Sequence, residues 1–170
     1  MRKLACLVAI TLTAGIAAAD VPFTSSDGKF SVTLPVKPTP STEPLEVGAT
    51  KLTMHLFQAQ LADGVILVSY LDYKDDGGMT PVQRIEATVS AEVKGQQGTI
   101  VGKEATCDIA NKALCREVIY TAHFEGTDLV KTFRNFLVGR RLYQLAVISK
   151  ATGGTKPTVI RALFDSFKLL

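Results

Sequence analysis

Apolar and polar residues alternate with period two through most of this chain, and twice the period changes to three or four. Phe30, Val32 and Leu34 share one side of a short run, and Asp27-Gly28 stands between it and Phe23, a pattern that predicts a type I′ hairpin. Residues 36–44, VKPTPSTEP, hold three prolines and are expected to form an extended surface connection without ladder donors. Leu52, Met54 and Leu56 alternate through the next strand. It turns at Asp63-Gly64 into residues 65–73, whose start is apolar on both faces, as in a central strand covered on each side.

The first change of period follows. Thr80 is placed as an N-cap, Pro81 at the first helical position and Gln83 as the return arm of a capping box. Val82, Ile85, Val89 and Val93 form one apolar stripe, with Gly95 placed to end the helix and Arg84, Glu86, Glu92 and Lys94 expected to face water. The stripe reads as core. The glycines of GQQGTIVG do not form a dinucleotide-binding fingerprint and read as a turn. Strands are expected over 100–107 and 114–124. In the second, Val118, Tyr120, Ala122 and Phe124 share one face, and Cys115, Glu117, Ile119, Thr121 and His123 the more solvated one. Residues 125–128 form a turn into a closing hairpin, LVKTFRNFLV and RLYQLAVIS around Gly139-Arg140. The last helix is expected from near Thr155, with Pro157 in its first turn and Ile160, Leu163, Phe164 and Phe167 as its buried stripe. The tally is about seven strands and two helices with hairpins outnumbering crossovers, which is an α+β fold around a mainly antiparallel sheet.

The first 19 residues form a different unit. Arg2 and Lys3, an apolar run and Ala17-Ala18-Ala19 before Asp20 describe a secretory signal peptide. The run contains two threonines and falls short of the ~20 mainly apolar residues of a spanning helix. Cleavage before Asp20 predicts a mature chain of residues 20–170, sized for one domain, in the periplasm or secreted, and without a membrane span. The 19 basic residues less Arg2 and Lys3 stand against 16 acidic ones, leaving a net charge of +1. That balance supplies no footprint for nucleic acid, and Arg140-Arg141 reads as a solvated hairpin tip.

Candidate chemistry is sparse. Cys107 and Cys115 flank a turn-like stretch, and an even pair in an oxidising compartment reads as a disulfide; two free thiols or a metal site are the alternatives. A structural zinc needs four ligands, and the nearest histidine, His123, lies eight residues beyond Cys115. Asp72, Asp75 and Asp76 before Gly77-Gly78 lack the alternating ligands of a calcium loop, so a charged surface loop is expected and no metal or cofactor is assigned. There is no G-x-S-x-G elbow, P-loop or H-E-x-x-H, and the two histidines, His55 and His123, stand on separate strands. No catalytic residue is assigned.

Three stretches carry a family likeness: GKFSVTLPVKP from Gly28, GRRLYQLAVIS from Gly139, and ALFDSFKLL at the end. They resemble the G-(K/R)-F-S-V opening, G-R-x-Y-x-L hairpin and F-x-x-S-F closing helix of PsbP-like and DcrB-like exported domains. The resemblance implies an α/β/α sandwich used as a non-catalytic accessory or binding module, and it transfers no functional residue. This chain lacks the lipid-attachment cysteine at the signal cut that some DcrB-like proteins have, and its Cys107/Cys115 pair is not required by the pattern. The expectation is therefore a monomeric, exported accessory or protein-interaction module of the cell envelope with an unidentified envelope protein as partner. The alternatives are a carrier of a small apolar ligand, motivated by 8 Phe and 4 Tyr, and, behind it, a hydrolase.

Overall fold

A computed structural model describes residues 20–170 apart from 48–49, 76, 102–104 and 110–112, so the expected signal segment lies outside the described residues. Among the described residues the chain forms eleven strands and two helices. They run β1 (Val21–Ser25), β2 (Phe30–Leu34), β3 (Thr39–Val47), β4 (Thr50–Gln60), β5 (Gly64–Asp72), α1 (Pro81–Gly95), β6 (Thr99–Ile100), β7 (Ala105–Ile109), β8 (Ala113–Phe124), β9 (Thr127–Val138), β10 (Arg141–Lys150), α2 (Pro157–Ser166) and β11 (Lys168–Leu169). Every strand pair is antiparallel. The large sheet has the order β3-β4-β5-β10-β9-β8-β6, with β7 also on β8; a small sheet has the order β1-β2-β11.

The doubly apolar strands are central because both faces of the large sheet are covered. On one face Ile85, Val89 and Val93 of α1 pack on Leu71, Val118, Tyr120, Phe133, Leu137, Leu142 and Ala146. On the other, α2 and the small sheet bring Phe30, Val32, Leu34, Leu163, Phe164 and Phe167 onto Ile66, Val68, Tyr70, Phe136, Tyr143, Leu145 and Val147. Strand β5 can lie tight against β10 because Gly64 has no side chain: a Cβ there would collide with the Ile148 carbonyl oxygen. The predicted α1 cap is present in full, with Thr80 accepting from Gln83 N and Gln83 accepting from Thr80 N.

The face under α1 also buries a polar seam. Register places Ser69, Gln144, Asn135 and Arg116 side by side across β5, β10, β9 and β8. Lys131 donates to Glu92 of α1 and to Gln144, Gln144 donates to Asn135, and Tyr120 donates to Glu92. Burial works to raise the Glu92 pKa, but the Lys131 charge and hydrogen bond, helped by Tyr120 and Gln144, outweigh it and hold it below its usual value. Burial and the neighbouring Glu92 push the Tyr120 phenol well above its ordinary range.

Several expectations change. Residues 36–44 are not a bare connection: β3 includes Pro40 and Pro44, which an edge strand tolerates because their missing N–H groups would have pointed away from the ladder. The 27–28 hairpin exists, but its turn spans residues 26–29 and the positive φ falls on Lys29 at 55°, so it is not a type I′ turn. The strand expected over 100–107 divides into β6 and the start of β7, and the final residues add β11. Val82 is 49% exposed, whereas Arg84 is only 8% exposed and Glu92 is partly covered. Periodicity fixes an angle around a helix, not how far the support beneath it extends. Cys115, expected on a solvated face, is 1% exposed because α2 and the small sheet cover that end of β8.

Candidate functional site

One cross-strand row organises the face under the small sheet. Thr42, His55, Tyr70, Tyr143, Phe136, Cys115 and Cys107 follow one another as register partners across seven strands, β3-β4-β5-β10-β9-β8-β7. Cys107 and Cys115 end the row with Cα atoms 5.0 Å apart and are joined as a disulfide. At the other end, β1 and β3 bound a cleft of about 430 Å³, lined by Phe23, Asp27, Thr42, His55, Phe57 and Tyr70 among others.

The walls of this cleft are aromatic and closely stacked. The His55 imidazole lies flat on Tyr70, with ring centres 4.5 Å apart and planes 5° from parallel. Phe23 packs on Phe57 at 5.0 Å, and Phe30 meets Phe57 edge-on at 5.7 Å from below. The Arg141 guanidinium stands 4.8 Å over the Tyr70 ring. It grips Asp72 with two parallel hydrogen bonds of 2.7 and 2.6 Å and donates a third, 2.8 Å, to the Asp27 carbonyl. The Tyr143 hydroxyl donates to the Gly28 carbonyl at 2.8 Å. Two side chains of β10 thus fasten the turn of the small sheet onto the large one.

These bonds fix protonation as well as position. The Arg141 hydrogen bond holds the Asp72 carboxyl below its usual range against the opposing effect of burial, with the Arg141 charge and His55 adding to the lowering. The same bond raises Arg141 further, against burial. Burial lifts the Tyr70 phenol above its ordinary value, only partly offset by Arg141. At neutral pH the cleft therefore presents a neutral phenol beside a charge-compensated ion pair. The Asp27 carboxylate, which also lines the cleft, adds a charge outside that pair and works to raise Tyr70 further.

The sequence-stated candidates separate. Asp72 leaves the acidic loop to pair with Arg141, Asp75 accepts from its own loop at Gly77 N, and Asp76 lies outside the described residues. Among the described residues no three His, Cys, Asp or Glu side chains converge to hold a metal. His123 is exposed and bonded to Asp128 at 2.7 Å, far along β8 from His55 in register. Arg141 is the group that sequence reading misplaced, as half of a solvated basic tip. Its position opposite Asp72 becomes visible only once β10 is known to pair with β5.

No known family model and no curated protein matches the chain. Solved structures do. The solution structure of cyanobacterial PsbP (CyanoP) from Synechocystis sp. PCC 6803 superposes with a TM-score of 0.60 at 12% identity, covering 96% of this chain and 99% of that one. The chain has the PsbP fold. Two further likenesses are weaker: a protein of unknown function, PA94, from Pseudomonas aeruginosa (TM-score 0.44, 10% identity, 65% of this chain and 83% of that one) and a Bacteroides thetaiotaomicron VPI-5482 protein (0.47, 15%, 88% and 48%). The PsbP fold accounts for the two helices on an antiparallel sheet; at this identity it carries no residue of the cleft with it.

Proposed function

We propose that this protein is an exported, non-catalytic module of the cell envelope that binds a segment of a partner protein in the cleft between β1 and β3. The observation that carries this reading is that the cleft lies between two sheet edges. Phe23 to Ser25 belong to the free edge of the small sheet and Pro40 to Thr42 to the free edge of the large one. Pro40 and Pro44 have no N–H to offer on the β3 edge, so its outward pairing groups are the carbonyls and Thr42 N–H, which a polypeptide can bond and an apolar small molecule cannot. Aromatic faces between the edges supply the apolar contact. The aromatic supply that motivated a lipid carrier is largely consumed by packing: Phe30, Phe133 and Phe136 are fully buried, and Phe164 and Phe167 nearly so. Export to an oxidising compartment is supported by the Cys107–Cys115 bond and by the pattern of residues 1–19.

The test is a photocrosslinking residue placed at Thr42, which lines the cleft and is exposed. In cells it should capture one discrete envelope protein, and the same probe at Lys94, on α1, should not. Equal capture from both positions, or none from either, would refute the assignment of the cleft.

A further inference from the structure

A second cleft, of about 380 Å³, opens at the start of α1 and is lined by Met79, Pro81, Arg84, Leu137, Gly139 and Arg140. Among the described residues three cations are buried, and two of them have carboxylate partners: Lys131 pairs with Glu92, and Arg134 with Glu117 at 2.6 Å. Arg84 has none. Its guanidinium lies 4.2 Å over the Tyr73 ring and donates to the Asp75 carbonyl at 3.1 Å. It also sits in the first turn and a half of α1, whose first turn has no acidic residue, so the helix dipole opposes its charge. A buried cation held by a backbone carbonyl and an aromatic ring near the positive end of a helix is a costly arrangement that packing alone does not require.

Arg140, which is exposed, lines the same cleft. It donates to the Lys74 carbonyl at 2.7 Å, and its own carbonyl accepts from Tyr73 N at 2.9 Å. Consecutive carbonyls of one loop, at Lys74 and Asp75, thus hold two guanidinium groups at the same cleft with neutral acceptors, and the Arg140 charge also acts on the Asp72 carboxylate. The Asp75 carboxylate is engaged with Gly77 N. Among the described residues the sole buried side-chain nitrogen or oxygen without a partner is Asn135 Nδ2, and Arg84 itself lines the cleft.

We infer that this cleft binds a phosphate-type oxyanion, free or carried on an ester, between Arg84 and Arg140. Two fixed guanidinium forks match the several oxygens and double charge of a phosphoryl group better than a single carboxylate would. Met79, 47% exposed at the rim, and Leu137 at the floor leave apolar surface for whatever the phosphate is attached to.

The test uses the purified protein with inorganic phosphate at constant ionic strength, followed by amide NMR, alongside phosphatidylcholine vesicles with and without phosphatidylglycerol. Saturable shifts at Gln83, Arg84 and Gly139 are expected, weakened about tenfold in Arg140→Gln and in Arg84→Met. Saturation by inorganic phosphate assigns a soluble source; association only with phosphatidylglycerol vesicles, lost in the same variants, assigns a lipid headgroup. Arg140 is exposed, so its variant is expected to fold whatever becomes of Arg84→Met. No saturable shift together with no phosphatidylglycerol-dependent association overturns the inference, and so does binding that survives Arg140→Gln unchanged.

Discussion

Replacing Phe30 with alanine should loosen the small sheet from the large one. Phe30 is fully buried, and its ring touches the rings of Phe23, Phe57, Tyr70, Tyr143 and Phe167 at centre distances of 6.0, 5.7, 6.5, 6.2 and 5.5 Å. Those five rings come from β1, β4, β5, β10 and the end of α2, so no single neighbour can move in to fill the space. The lost transfer energy plus the cavity should cost about 3–5 kcal/mol. Against a typical total of about 5–15 kcal/mol this is a large fraction. At about 2–4 °C per kcal/mol for a chain of this size, the melting temperature should fall by roughly 10 °C. Urea unfolding followed by circular dichroism would show a lower midpoint with an unchanged slope. Phe30→Leu, which keeps most of the volume, should recover much of the loss. A Phe30→Ala cost under about 1 kcal/mol would mean that the aromatic cluster is not close-packed, and would remove the rigid floor from the cleft.

Further outcomes follow from other contacts. Lys131→Met strands Glu92 beneath α1 without its cation and should cost about 3–5 kcal/mol by thermal or urea unfolding; a loss near zero would show that the pair is solvated. Because the folded Glu92 pKa is depressed, its contribution is fully present above the unfolded carboxyl value of about 4.3 and is lost as pH falls through the lower folded value. Glu92→Gln should therefore flatten that part of the acid-stability curve, and an unaltered curve would reject the assignment. Val89→Asp places an unpaired carboxylate against Val118 and Phe133 and should lose several kcal/mol, of order 3, with a parent-like melting temperature contradicting the packing of α1. The Cys107–Cys115 bond closes a loop with a sequence separation of 8, and its reduction or double replacement by serine should cost about 2.5 kcal/mol in the chain-entropy picture. Intact mass of the exported protein should read two hydrogens below the dithiol; a full dithiol mass would rule the bond out in the cell.

Local pattern sufficed where each residue answers mainly to its sequence neighbours. Thr80, Pro81 and Gln83 specify the start of α1 because a capping box is closed within four residues. The β9–β10 hairpin was legible because Gly139, at φ 58°, supplies the turn that lets two apolar strands pair at once. The central place of β5 was legible because its residues are apolar on both faces. From those pieces came the α+β class; the PsbP-like likeness came from the stretches beginning at Gly28 and Gly139 and from the closing ALFDSFKLL, and the CyanoP superposition supports it as fold.

The two clefts were not legible, because each is made of residues that meet only through long-range pairing. Asp72 and Arg141 are 69 positions apart and become partners once β10 lies against β5, a choice that the alternation of either strand leaves open. Arg84 looked solvated on a helical wheel, yet the loop carrying Tyr73 and Asp75 folds back over it. Alternation fixes which face a side chain occupies and capping fixes where a helix begins. Which strands become neighbours, and hence which charges are buried together, is decided by packing the whole chain at once.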